Sequence, residues 1–318
     1  MAAKNKSNEI KITRIYDAPV KAVWDAWTEP EQVAQWWGPR GFTLTTHSKD
    51  LRVGGDWRYT MHGPDGVDYP NHTKYFEVEK YSRLVYDHGG YEDRPPLFRV
   101  TVNFSETKGK TKMDMTMTLA TPEAAEEIAK HIKKAGGNAT WDRLAEYLSK
   151  EASGKDQFVI NRSFDASLEV MYEMWTNPKH FSQWLAPTGM TMSFIHADIK
   201  PGGKTLYLMT NGAELKMYGR ANYLEMHKPN RIVYTQQFCD EKENISRHPM
   251  APTWPETMLT TVTFTEEGPE KTRVTVTWEA YGNVTREELE TFVKAKPGMT
   301  QGWTGSFDKL EVYLLERK

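Results

Sequence analysis

The chain has 318 residues, with 41 Lys and Arg against 43 Asp and Glu for a net charge of −2. That length suits two domains of ordinary size, each able to bury a core without staples, and the lone Cys239 excludes an internal disulfide. Basic residues are scattered rather than gathered into a stripe, which argues against nucleic acid as a partner. No run of apolar residues is long enough for a membrane span and no secretory leader opens the chain, so a soluble cytoplasmic protein is expected.

In chain order, a short strand is expected over Glu9–Tyr16. A helix follows, with Pro19 in its first turn and Val20, Val23, Trp24 and Trp27 at helical spacing. Thr28-Glu29-Pro30-Glu31 has capping-box spacing for a second short helix that ends near Trp36-Trp37-Gly38-Pro39. Further on, Phe98, Val100, Val102 and Phe104 alternate with polar residues, as do Met113, Met115, Met117 and Leu119, the period-two pattern of a sheet with one buried face. Arg99 and Asp114 are polar members of these strands and suit a solvated outer face. An amphipathic helix carrying Trp141, Leu144, Ala145 and Leu148 closes this half.

The pattern then begins again. Shifted by 148 positions, Lys11–Tyr59 aligns with Val159–Tyr207 without a gap, with 16 identities in 49 positions. Arg14, Asp17, Trp27, Pro30, Trp36, Gly54, Gly55 and Tyr59 recur as Arg162, Asp165, Trp175, Pro178, Trp184, Gly202, Gly203 and Tyr207. A strand is expected over Gln157–Phe164. Val262 and Phe264, then Val274, Val276 and Trp278, repeat the alternation, and Trp303, Phe307, Leu310 and Leu314 repeat the closing helix. Extra residues at roughly 238–256 belong to the second copy alone. A polar stretch around Ser153 reads as a linker, which divides the chain into domains 1–152 and 153–318.

The string Tyr16-Asp17-Ala18-Pro19, then Trp27-Thr28-Glu29-Pro30, Gln35-Trp36-Trp37-Gly38-Pro39 and Trp141-Asp142-Arg143-Leu144, resembles the Hsp90 ATPase activator homologue family of the START/Bet v 1-like superfamily. Phe164-Asp165-Ala166, Trp175-Thr176-Asn177-Pro178, Gln183-Trp184 and Gly302-Trp303 carry the same resemblance in the second half. It implies an α+β helix-grip fold in tandem: an antiparallel sheet wrapped on a long C-terminal helix, with a cavity between. Members of that superfamily carry lipids, sterols or polyketides, some cyclise aromatic polyketides, and the eukaryotic Hsp90 activator binds a chaperone.

The residues themselves bear on function in several ways. The 11 Trp, 15 Tyr and 15 Met are more large, adaptable side chain than a bare core of this size needs. A small hydrophobic or aromatic ligand is therefore the expected partner. Strand-face positions nominate Trp36, Trp57, Tyr59, Tyr86, Met115 and Trp141 in the first half and Tyr207, Tyr234, Met258 and Trp278 in the second as its lining. An enzyme of cyclase or hydrolase type would need a histidine such as His62 or His88 facing the cavity. A chaperone-binding module would need an exposed apolar patch, expected near Pro249, Pro252, Trp254 and Pro255.

Other motifs point to structure. Lys200-Pro201-Gly202-Gly203-Lys204-Thr205 ends like a phosphate-binding loop, but Asp198 stands where the first glycine belongs and a strand follows where a helix is required. Its counterpart in the first half keeps only Gly54-Gly55, as a turn would. His47, His62, His72 and His88 lack metal-ligand spacing, so no metal or cofactor is expected, and no catalytic set emerges.

Overall fold

A computed structural model describes residues 7–91, 94–134, 139–212 and 215–317, which form two compact units, Met1–Ser153 and Gly154–Lys318. In the first unit, β1 (Glu9–Tyr16) leads into α1 (Val20–Thr28) and α2 (Pro30–Val33). Then come β2 (Thr43–Lys49), β3 (Asp56–His62), β4 (Asp68–Glu79), β5 (Arg83–Gly90), β6 (Phe98–Thr107) and β7 (Lys110–Thr118), and the unit closes with α3 (Pro122–Lys134) and α4 (Ala139–Ser153). The strands make one antiparallel sheet in the order β1-β7-β6-β5-β4-β3-β2. It is a meander whose first strand returns to pair with its last, in register from Glu9 opposite Thr118 to Tyr16 opposite Thr111.

The second unit repeats this plan with β8 (Phe158–Phe164), α5 (Leu168–Thr176), α6 (Pro178–Trp184), β9 (Thr191–Ala197), β10 (Lys204–Thr210), β11 (Lys216–His227), β12 (Arg231–Cys239), β13 (Met258–Gly268), β14 (Lys271–Ala280) and α7 (Arg286–Glu316). Its sheet runs β8-β14-β13-β12-β11-β10-β9. The expected tandem α+β helix-grip architecture is what the chain adopts. α7 differs from its first-half counterparts: it is a single helix of 31 residues, opened by a capping box in which Thr285 accepts from Glu288 N and the Glu288 carboxylate accepts from Thr285 N.

The small helices are fixed by a device common to both units. Pro30 and Pro178 have no N–H, so the carbonyls of Ala26 and Met174 lack the donor that a helix would supply four residues on. A buried indole fills that role in each unit: Trp36 Nε1 donates to Ala26 O at 2.9 Å and Trp184 Nε1 to Met174 O at 3.1 Å. The capping box expected at Thr28 is absent among the described residues. Thr28 Oγ1 instead donates back to Trp24 O at 2.7 Å within α1, and α2 starts on Pro30 with no side-chain cap. The second unit does cap this helix, with Asn177 accepting from Lys179 N.

The closing helices hold the loop after α2 or α6 by a cation on its carbonyls. Arg143 donates to the oxygens of Gln35, Trp37, Gly38 and Pro39, and Lys309 to those of Ala186, Pro187 and Met190. The paired glycines are structural, as expected: Gly54 and Gly202 both sit at φ +77°, and a Cβ on Gly55 or Gly203 would lie 2.2 or 2.1 Å from the carbonyl of Asp50 or Asp198. No helix among the described residues is long and apolar enough to cross a membrane.

Replacing Trp36 by Phe should keep most of the apolar packing but strand the Ala26 carbonyl, at a cost of about 1–3 kcal/mol to the first unit. Hydrogen exchange should then quicken in residues 20–37 and stay unchanged in residues 168–185. Equal protection of both segments in the variant would show that the indole bond contributes nothing.

Candidate functional site

The ten side chains nominated from the sequence separate into two groups with different surroundings. In the first unit Trp36, Trp57, Tyr59, Tyr86 and Met115 are each at most 3% exposed, and all belong to one continuous core. Trp141, on α4, stacks on Trp27 with centroids 5.2 Å apart, Trp57 stacks on Tyr59 at 4.0 Å, and Trp37 sets its edge against Trp57 at 5.3 Å. These rings occupy the concave side of the sheet with protein.

In the second unit, Tyr207, Tyr234, Met258 and Trp278 line a cavity of about 680 Å3 between the sheet and α7. That volume lies within the usual range for small-molecule sites. Its existence follows from substitutions in the repeat. Leu185 stands where the first unit has Trp37, Thr205 where it has Trp57, and Phe307 where it has Trp141. Two indoles are lost at these positions and a third shrinks to a phenyl ring, while Trp254, Trp278 and Trp303 line the space that remains. The helix face opposite is also trimmed, because Ala295, Gly298 and Gly302 present almost no side chain to the space.

The segment between β12 and β13 roofs this cavity through His248, Ala251 and Trp254, beside Phe238 near the end of β12. It is tied to the start of α7. Arg247 Nη1 donates to Glu288 Oε1 at 2.7 Å and to Trp254 O at 2.8 Å, Thr253 bonds Thr291 at 2.8 Å, and Trp254 meets Phe292 edge-on at 5.9 Å. Of the apolar patch expected here, Trp254 and Pro255 are buried inward, whereas Pro249 and Pro252 are exposed together with Ile245 and Met250. The roof residues and the helix face were not nominated from the sequence, although the insertion and the Gly298/Gly302 spacing were visible signals.

Polar groups in the cavity are few. Tyr207 reaches across β11 because its partner there is Gly219; a Cβ at that position would lie 2.3 Å from the phenol ring. Burial pushes the Tyr207 hydroxyl up to about 12, so it stays a neutral phenol. Gln236 lines the space beside it. His248 accepts a hydrogen bond from Met250 N at Nδ1, which leaves its proton on Nε2, and burial lowers its pKa.

The two histidines proposed for acid/base work lie elsewhere. His62 is half exposed and bonded to Asp68 and Thr45 on the strands of the first sheet. His88 is held in the first unit's interior, 3.3 Å from the Tyr59 hydroxyl and stacked on Phe98 at 5.0 Å. Among the described residues, no group of three His, Cys, Asp or Glu side chains is placed to hold a metal ion.

A duplicated seven-stranded meander, each copy closed by a C-terminal helix, can be compared with known proteins. The family model for Activator of Hsp90 ATPase homolog 1-like protein matches residues 17–149 and again 165–315. The chain belongs to this family. Solved structures similar to this Hsp90 activator homologue-like chain include a protein of Staphylococcus epidermidis, 28% identical, covering 48% of this chain and 95% of its own, with a TM-score of 0.42. A protein of Arthrobacter aurescens is 27% identical over 45% of this chain and 87% of its own, also at 0.42. Over both units, the di-domain ARO/CYC BexL from the BE-7585A biosynthetic pathway covers 95% of this chain and 97% of its own, at 12% identity and a TM-score of 0.38. No curated protein matches.

Burial holds His88 down at about 4, against an ordinary value of 6.5. Between those values the unfolded chain binds the proton and the folded chain does not, so stability falls as pH drops through this window. His88→Gln, which installs the residue present at the same repeat position in the second unit, should flatten this part of the profile. Thermal melts across pH 6.5 to 4 would read it, and an unchanged acid slope would mean that the ring is solvated in the fold.

Proposed function

We propose that this chain is a small-molecule binding protein whose second unit holds one largely apolar, aromatic ligand between its sheet and α7. Tyr207, Tyr234, Met258 and Trp278 then form the lining. The six residues nominated in the first unit act as core, and that unit is a structural partner with no ligand of its own. The observation that carries this reading is the contrast at equivalent positions: Trp37 and Trp57 pack the first interior, whereas Leu185 and Thr205 leave about 680 Å3 open in the second.

The lining suits such a ligand. Its sheet side is built of Tyr, Met and Trp side chains, whose contact area supports apolar binding, while Lys294 and Glu256 are exposed. A chaperone-binding role, which the family's description raises, would rest on a surface rather than on this space. Trp254 and Pro255 pack inward, which leaves Pro249, Pro252, Ile245 and Met250 as the exposed apolar residues such a surface would have.

Titration of the intact chain with the neutral fluorophore N-phenylnaphthylamine should show one saturable site per chain. The double variant Leu185→Trp/Thr205→Trp, which restores the first unit's bulk, should lower that affinity at least about tenfold, the equivalent of roughly 1.4 kcal/mol. Trp57→Phe in the first unit should leave it unchanged. Undiminished binding in the double variant would move the site out of this cavity.

A further inference from the structure

The cavity carries more information than its apolar character, because polar groups that face it have no protein partner. In the first unit, the two repeat-equivalent positions satisfy each other: the Tyr59 hydroxyl lies 3.3 Å from His88 Nδ1. Their counterparts are Tyr207 and Gln236. Among the described residues, neither the Tyr207 hydroxyl nor the Gln236 amide makes a hydrogen bond, and both side chains line the open space. The indole Nε1 of Trp278, also on the lining, is buried without an acceptor. Gln237, next in sequence, is fully engaged with Arg220 and Thr257 and offers nothing.

Register places these groups on one concave patch. Trp278 is opposite Thr260, and Thr260 opposite Tyr234; Gln236, two residues on along β12, lies on the same face. Tyr207 stands opposite Gly219, which is opposite Phe238, so the absence of a side chain at Gly219 lets the phenol lie over β11 toward β12. The phenol and the amide face the open space, so an occupant there can take up their hydrogen bonds, whereas the Trp278 Nε1 has no exposed surface and is out of its reach.

The chemistry of the set selects the occupant. The Tyr207 phenol offers one O–H donor and the Gln236 amide two N–H groups. The phenol stays protonated, and the lysine on the lining, Lys294, is solvent-exposed on α7 rather than set between the two groups on the sheet. Building on the ligand-binding reading above, we propose that Tyr207 and Gln236 form an acceptor-recognition patch for a carbonyl oxygen carried by an uncharged, flat aromatic ligand. The surrounding Tyr, Met and Trp side chains take the rings, and the patch sets their orientation.

Fluorene and fluorenone share one tricyclic skeleton and differ by a carbonyl, so competition of each against N-phenylnaphthylamine on the intact chain isolates the patch. Fluorenone should bind about tenfold or more tightly than fluorene, the size expected of one or two recovered hydrogen bonds. The variant Tyr207→Phe/Gln236→Leu should erase that preference while retaining fluorene binding, and Trp278→Phe should keep it. Equal affinity of both probes for the native chain would overturn the carbonyl patch and leave the ligand cavity standing. Displacement by neither probe, together with no saturable fluorophore binding, would instead remove the cavity reading and the patch with it.

Discussion

A missing N–H organises both halves of this protein. Proline at positions 30 and 178 breaks the continuity of two helical turns and leaves one carbonyl of the preceding helix without its natural donor. The indoles of Trp36 and Trp184 restore the bond from ten residues away, and in doing so bury themselves at the centre of each core. The segment that follows is thereby aimed at the closing helix, where Arg143 or Lys309 collects its carbonyls. The chain direction into the sheet depends on that sequence of bonds. It survives in both copies even where most surrounding residues differ.

On this shared frame, the bulk at a few equivalent positions differs between the units. The first interior is closed by a run of indoles in contact, and it tolerates a histidine only in neutral form. The second has lost that bulk at Leu185, Thr205 and Phe307, and it has gained a roof from outside the frame. Cores are ordinarily packed as densely as organic crystals, so a void of several hundred cubic ångströms is a departure that a fold keeps only where something offsets the lost contacts. The matching trim at Gly298 and Gly302 on α7 puts that departure on both walls of the same space.

Much of the fold was legible in the chain alone. The 148-residue offset exposed the duplication, period-two alternation located β6, β7, β13 and β14, and the helical spacing of Trp303, Phe307, Leu310 and Leu314 located part of α7. The missed start of α7 at Arg286 has a plain cause: its first turns carry Arg286, Glu287, Glu288 and Glu290, with too few apolar residues for a stripe, and are set by a capping box and by the roof. The site was legible only in part. Strand alternation brings Tyr207, Tyr234, Met258 and Trp278 to the concave face, but it does so equally for Trp57 and Tyr59. Whether a concave face is lined or filled depends on the sum of side-chain volumes across several strands and a helix, which no local pattern records. The inward turn of Trp254 was hidden for the same reason, since it depends on Phe292 and Glu288 far along the chain.

Glu288 joins two events that look separate. Its carboxylate begins the longest helix by accepting from Thr285 N, and it also holds Arg247, the anchor of the cavity's roof. Lifting the roof removes one of the charges that keeps this carboxylate in place, and fraying the helix releases the roof. The segment and the first turn of the helix are thus coupled, and local opening of either weakens the hold on the other.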